Sequence, residues 1–288
     1  FISGTDSALL FESLKASGEE TAYSRCEGRS TGFGQTGEAA GALFAGVLYA
    51  KYPLLPFFLQ VGVWVLALVL TRGLKEPQRE QRHFGGHLKE ALASARYVFI
   101  ENRHLRVTIL LSIVLGLSSF YPVWLIQPYM RDAGVSIASF GPIWAGANLI
   151  VAIFAVLSHQ LRAFMGDKGM VLLLVLLVWV GYLGLGLAVG VYGFLFYYLL
   201  TVMRGIRGPF LLHVAQAEIP STTRAGMLSL QSLCFRLLFA LTGPLVGIFA
   251  DAHGVRKTFQ LLFIAFLLVL PPLAWLFLQH RRNAAAGK

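Results

Sequence analysis

Two arginines lie three positions apart in an otherwise apolar run, LTVMRGIRGPFLL, at residues 200–212. This spacing places Arg204 and Arg207 on one face of a helix. Inserting each cation at the middle of a membrane costs about 2.5–3.5 kcal/mol on translocon scales, so something must compensate the pair. Guanidinium groups at such a depth can bind the carboxylate or phosphate of a solute.

A third cation, Arg236, lies about eleven residues into the run 225–250, which also places it near mid-membrane. Few acidic residues could neutralise these cations, and they are Glu38, Glu218 and Asp6. The arginines are therefore expected to face a watery central cavity or the interior of a helical bundle. They either bind an anionic or polar substrate or form structural pairs with the carboxylates and with backbone carbonyls.

Glu38 is the candidate for proton coupling. Burial favours the protonated form of a carboxyl group, whereas a nearby arginine favours the ionised form. Moving an arginine away from Glu38 would therefore switch its protonation. The alternative is a fixed ion pair near the cytoplasmic interface, because Glu38 lies only about six residues into its apolar run at 32–50.

The apolar run 105–130 reads SSFYPVWLIQPYM in its outer half. It combines aromatic faces, hydrogen-bonding groups and kink-forming prolines, as expected where a helix lines a substrate path. An aromatic belt at the outer membrane interface would explain Trp124 equally well. The predicted substrate-binding residues are Arg204, Arg207, Arg236, Tyr121, Trp124, Gln127 and Asn148.

The composition is that of a membrane protein. Hydrophobic residues make up 56% of the 288 residues and charged residues only 13%, with a mean hydropathy of +0.67. The net charge of +10 does not indicate a nucleic-acid partner, since the basic residues lie between apolar runs without interleaved aromatics. Cys26 and Cys234 lack metal-ligand spacing, and we expect neither a metal nor a cofactor.

The apolar runs predict an all-α protein with eight transmembrane helices. A long uncharged stretch, 169–203, is divided by the turn-forming cluster that begins at Gly190. The predicted spans are 32–50, 53–71, 107–130, 133–161, 169–189, 192–217, 225–250 and 258–279.

Loop charge predicts the orientation of these spans. The loop between the second and third spans is rich in lysine and arginine, so it is expected in the cytoplasm together with both ends of the chain. Within it, Leu88, Leu92, Ala95 and Phe99 share one helical face. They predict either an amphipathic helix on the cytoplasmic interface or an ordinary solvated linker helix.

Two spans, a basic linker and six further spans resemble a bacterial transporter of the major facilitator superfamily. The phrase SGTDSALLFESLK is similar to the end of that family's fourth helix, and IPSTTRAGMLSLQS to its loop entering the eleventh. In RAFMGDKGM, residues Asp167, Lys168 and Gly169 resemble part of the family's loop signature, without its leading glycine and final basic pair. The resemblance implies an N-terminally truncated chain that covers roughly the fifth to twelfth helices.

The resemblance also implies a division of the chain into parts. A linker with the amphipathic helix would join a remnant of the N-terminal helical bundle to a C-terminal bundle of six helices, and a basic cytoplasmic tail would follow. These parts are 1–73 for the remnant, 74–104 for the linker, 105–280 for the six-helix bundle and 281–288 for the tail.

The implied function is secondary active transport of a small solute by alternating access, with proton coupling as an open question. The solute would be anionic or amphipathic, and efflux is one possible direction. We expect a monomer in the lipid bilayer of the bacterial inner membrane. A non-transporting or degenerate membrane protein is the alternative. An intramembrane enzyme is disfavoured because the sequence contains no HExxH motif.

Overall fold

The computed structural model describes residues 5–19, 22–73, 95–216 and 224–286, which are helical and contain no β-strand. A π-helical turn and two 3₁₀ turns connect some of the helices. The helices are α1 (Thr5–Ala16), α2 (Tyr23–Lys51), α3 (Leu55–Thr71), α4 (Arg103–Asp132), α5 (Phe140–Leu187), α6 (Leu195–Gln216), α7 (Arg224–His253) and α8 (Val255–Ala286).

Four helices in the described part are long and apolar enough to cross a membrane, which confirms an all-α membrane protein. Helix α3 is apolar but has only 17 residues. Helix α6, which carries two of the arginines, is not among the four, and the number of eight spans stays a prediction. The four candidate spans are Arg103–Asp132, Ile137–Leu187, Ser229–His253 and Val255–Gln279.

Two glycines with positive φ divide the central part of the chain. Gly166 has a φ of 66° and separates two segments of α5, residues 140–165 (α5a) and 167–187 (α5b). Each segment has about the length that one membrane crossing needs. Gly190 has a φ of 92° and begins the turn before α6, as the sequence predicted. Glycine adopts this backbone conformation at little cost because it has no Cβ.

The break at Gly166 is held by side chains from both segments of α5. Arg162 Nε donates to Asp167 Oδ1 at 2.7 Å across the break. The guanidinium carbon of Arg162 also lies 5.9 Å from the centre of the Phe210 ring on α6. Asp167, which resembles part of the loop signature, therefore pairs with Arg162, a basic residue of the same connection between α5a and α5b.

The ends of the bundle are marked by aromatic contacts between α4 and α8. At one end the ring of His104 stacks on Phe277 with centroids 6.0 Å apart, and at the other Tyr129 packs edge-on against Phe259 at 5.7 Å. The two helices therefore run in opposite directions. By the predicted orientation, Tyr129 and Phe259 lie at the outer end, and His104 and Phe277 lie at the cytoplasmic end.

A proline in α4 leaves one carbonyl without its helical donor, and a tyrosine supplies the missing bond. Pro122 has no N–H, so the carbonyl of Ser118 loses its partner four residues on. The hydroxyl of Tyr182, from α5b, donates to that carbonyl oxygen at 2.7 Å and is fully buried. Backbone groups inside a membrane protein must be satisfied in this way because no water reaches them.

Replacing Tyr182 with phenylalanine is expected to lower the free energy of unfolding by about 1–3 kcal/mol, because the Ser118 carbonyl would be buried without a donor. The matched control is Tyr198→Phe. The Tyr198 hydroxyl donates to the Ile143 carbonyl at 3.2 Å, and the residue four positions on, Ala147, has an N–H that can supply the helical bond to that carbonyl. Reversible unfolding in mixed detergent micelles should show the larger loss for Tyr182→Phe, and equal losses would contradict this assignment.

Helix α6 packs closely along α5a. A Cβ atom placed on Gly205 would lie only 2.6 Å from the backbone oxygen of Val151. The hydroxyl of Ser158 donates to the Ile206 carbonyl at 3.1 Å from the same side. A small residue and a serine hydroxyl at the contact are typical of helix pairs in membranes. Helix α6 is therefore fixed against α5a at the level of its arginines.

Helix α2 packs on α5a and begins earlier than the predicted first span. It starts at Tyr23, within what the sequence suggested was a cytoplasmic segment. A Cβ on Gly141 would lie 2.9 Å from the Ala42 carbonyl oxygen, so the two helices are close at this point. Helix α3 follows α2 after a short turn and has no buried residue among those described.

Most of the linker, 74–94, lies outside the described residues, and with it most of the predicted amphipathic helix. Its described end forms the π-helical turn Tyr97–Glu101. Asn102 then caps α4, since its side-chain oxygen accepts from the Leu105 amide at 2.9 Å. At the other end of the chain, α8 continues to Ala286 through most of the predicted tail.

Candidate functional site

Arg207 lies at the junction of three helices. Its Nη1 donates to the backbone oxygen of Ser112 on α4 at 2.9 Å. The hydroxyl of Ser112 in turn accepts from Nε2 of Gln231 on α7 at 2.8 Å. Arg207 thus makes the backbone-carbonyl pair that the structural interpretation predicted. Its Nε is buried and has no hydrogen-bond partner within the described residues.

Arg204 has a different environment from Arg207. It is half-buried and makes no hydrogen bond or ion pair within the described part of the chain. It shares one face of α6 with the buried Tyr197, two turns before it, and with Arg207, one turn after it. A half-buried guanidinium beside a second cation is an environment that attracts an anion.

Glu38 reaches the same region from α2. Trp144 Nε1 on α5a donates to Glu38 Oε1 at 3.4 Å, and Gln35 Nε2 donates to Oε2 at 3.4 Å. The Trp144 ring stacks on Tyr197, with centroids 6.5 Å apart and planes at 23°. Glu38, Trp144 and Tyr197 therefore form a continuous acidic and aromatic series across three helices, and Arg204 lies two turns beyond Tyr197 on α6.

Glu38 lies near the middle of its helix, because α2 begins at Tyr23 and not at the predicted start of the span. Its neighbours Trp144 and Tyr197 are both close to the first residues of their own helices, at the end assigned to the outside. Glu38 makes no ion pair with the described residues, and its depth in the membrane stays a prediction.

Arg236 does not enter the interior of the bundle. Its side chain is exposed. The face of α7 that contacts α4 is formed by residues at helical spacing, which include Gln231, Phe235, Phe239 and Thr242. Arg236 lies beside this face and not on it. The prediction that Arg236 faces the interior of the bundle is therefore wrong. The other predicted environment, a watery cavity, remains the expectation.

The three candidates on α4 divide into one buried and two exposed side chains. The Tyr121 hydroxyl lies 2.6 Å from Thr242 Oγ1, so it serves the contact between α4 and α7. The Trp124 side chain is 64% exposed, and Gln127 is also exposed. Trp124 and Gln127 therefore remain accessible to a solute. Tyr121 is only 6% exposed and supports this region through its contact with Thr242.

Asn148 is 2% exposed on α5a, and its Nδ2 has no hydrogen-bond partner within the described residues. A buried amide nitrogen of this kind ordinarily donates to a water molecule or a ligand. Asn148 lies one helical turn beyond Trp144, on the same side of α5a. It therefore remains a candidate for the site around Arg204.

Three features of the site were not predicted from the sequence. They are Trp144, Ser112, and the position of Tyr197 next to the Glu38–Trp144 contact. Helical spacing carried part of the signal, since Trp144 precedes Asn148 by four residues and Tyr197 precedes Arg204 by seven. No local pattern could have indicated Ser112, because its contact with Arg207 joins two helices that are far apart in the chain.

The described residues contain no group of three or more histidine, cysteine, aspartate or glutamate side chains that could hold a metal ion. Glu218, one of the predicted anions, lies outside the described residues. In comparisons with known proteins, no family model matches the chain and no curated protein matches it. What the chain does must therefore be inferred from its own residues.

Proposed function

We propose that the protein is a secondary active transporter of a small organic anion, of the major facilitator type, in the bacterial inner membrane. The observation that supports the proposal most strongly is the environment of Arg204. This half-buried cation lies on an apolar helix, and it has no anionic partner in the described part of the chain. A solute carboxylate or phosphate would supply the missing charge.

The two arginines have different roles in this proposal. Arg207 is anchored to the Ser112 carbonyl and keeps α6 in register with α4. Arg204 lies one turn away with its guanidinium donors unused by the described residues, and it binds the solute. An anchored arginine beside a ligand-binding one holds the site in position before the solute arrives, which lowers the entropic cost of binding.

The location of the site suits alternating access. In such transporters the solute binds where two helical bundles meet, and the bundles rock about it. Helix α2 belongs by prediction to the first bundle, whereas α5a and α6 belong to the second. The contact between Glu38 and Trp144 therefore lies on the predicted boundary and would change as the bundles move. This movement couples the protonation of Glu38 to the state of the Arg204 site.

The test is solute flux in proteoliposomes that contain the full-length protein. The panel pairs organic anions, such as aromatic and aliphatic carboxylates, with hydrophobic cations of the same size. Saturable uptake of anions, stimulated by an imposed pH gradient, is the expected result. Glu38→Gln should retain anion exchange and lose the response to the gradient, whereas Glu101→Gln, at an exposed ion pair with Arg96, should behave as wild type. Flux of cations alone, or no flux, would contradict the proposal.

A further inference from the structure

We infer that the bound anion carries an aromatic ring, held on a series of aromatic side chains that leads from Arg207 to the open face of α4 and α7. We call this series the aromatic ladder, and it consists of Phe235, Phe120, Phe239 and Trp124. The inference rests on the proposed function, because Arg204, one turn from the anchored Arg207, supplies the binding site for the anionic group.

The ladder begins at the arginine itself. A Cβ atom on Gly116 would lie 3.1 Å from Arg207 Nη1 and 3.1 Å from the Phe235 ring. The guanidinium group and the first ring of the ladder therefore meet over the same glycine. A ligand whose charge is held at Arg204 therefore has an aromatic surface that begins one helical turn away, at Arg207.

The rings of the ladder contact one another without a gap. The Phe120 ring lies 5.5 Å from Phe235 and 4.7 Å from Phe239, in edge-to-face orientations. The Trp124 ring lies 6.3 Å from Phe120 and 6.5 Å from Phe239. These separations are typical of favourable aromatic pairs. Because Trp124 is 64% exposed, much of its indole surface is open for a further ring.

The face that carries the ladder is polar as well as aromatic. Gln127 follows Trp124 by three residues on α4 and is exposed. An amide group on a face against acyl chains would be costly, whereas it is stable beside a water-filled cavity. We therefore assign this face to the solute path and not to lipid.

The dimensions of the ladder define the class of ligand. Gly116 and Trp124 are eight residues apart on α4, which is about 12 Å along a helix. A carboxylate separated from a phenyl ring by a short alkyl chain fits within this length. An aromatic carboxylate would place its charge at Arg204, one turn from the anchored Arg207, and its ring against the open indole surface of Trp124.

The experiment measures binding to the full-length protein in nanodiscs by calorimetry. Two probes are compared, 3-phenylpropionate and 3-cyclohexylpropionate, which share charge and chain length but differ in the presence of an aromatic face. Wild-type protein should bind 3-phenylpropionate about two- to tenfold more tightly, the range that an aromatic contact contributes beyond its buried area. Trp124→Leu retains apolar volume, and the ratio of the two affinities should fall toward one.

The matched control is Trp275→Leu. Trp275 is 59% exposed on α8 and has no part in the ladder, so its replacement should leave the ratio at the wild-type value. Phe239→Leu provides a second ladder variant in case Trp124→Leu does not fold. Equal affinities for the two acids in wild type, or a ratio unchanged in both ladder variants, would contradict ring binding by the aromatic ladder. Neither result would contradict the anion site. Failure to bind any organic anion would instead remove the proposed function.

Discussion

Replacing Arg204 with alanine is expected to raise the half-saturating concentration of a transported anion by at least about 30-fold. Truncating one partner of a hydrogen-bonded charge pair costs about 2–5 kcal/mol, and Arg204 has no described partner other than the solute to share that loss. Arg204→Lys keeps the charge but loses the planar fork of donors, so it should lie between wild type and alanine. Tracer flux in proteoliposomes measures all three proteins.

Two controls separate binding from folding in this experiment. Because Arg204 makes no hydrogen bond within the described residues, Arg204→Ala should keep the wild-type thermal midpoint in detergent. Arg131→Ala removes an exposed arginine from the last turn of α4 and should leave anion flux unchanged. An Arg204→Ala protein that transports anions with wild-type kinetics would show that this arginine has no part in the site.

Adding one methyl group at Gly205 is expected to destabilise the protein by about 2–3 kcal/mol, toward the upper end of the cost of overpacking. The new Cβ would lie 2.6 Å from the Val151 backbone oxygen and 3.1 Å from the Phe154 Cβ. Neither the backbone nor a Cβ can move without shifting α5a. Since Gly205 is adjacent to Arg204, the displacement should also lower anion flux.

The matched control for Gly205→Ala is Gly208→Ala, three residues further along the same helix. No atom lies within 4 Å of the Cβ position at Gly208. Alanine is favoured over glycine inside a helix by about 0.5–1 kcal/mol, so this variant should be as stable as wild type or slightly more stable. Reversible unfolding in mixed micelles gives both values. Equal effects of the two substitutions would contradict the close packing of α6 on α5a.

Apolar runs and turn residues were sufficient to predict the class of fold. The turn at Gly190 was predicted because two glycines interrupt an uncharged stretch that is too long for one crossing. The break near Arg162 and Lys168 was predicted from charge, and Gly166 supplies it. Such signals are local, so a single sequence is enough to read them.

The faces and depths of the polar side chains could be predicted only in part. In a membrane both lipid and protein interior are apolar, so hydrophobic periodicity hardly distinguishes the packed face of a helix from its exposed face. For this reason Arg236 could not be placed relative to α4. The start of the first long helix was misplaced because basic residues such as Arg29 do not end a helix, and α2 extends past them to Tyr23.

Whether water reaches the position of Arg204 is best measured by thiol labelling. Cys26 and Cys234 are first replaced with serine, and Arg204→Cys is then exposed to an anionic, membrane-impermeant methanethiosulfonate. The comparison is Leu176→Cys, 55% exposed on the apolar surface of α5b. We expect rapid labelling at position 204, slowed by saturating 3-phenylpropionate, and almost none at 176. Labelling at 204 as slow as at 176 would place Arg204 against acyl chains and contradict an anion site in a solvated cavity.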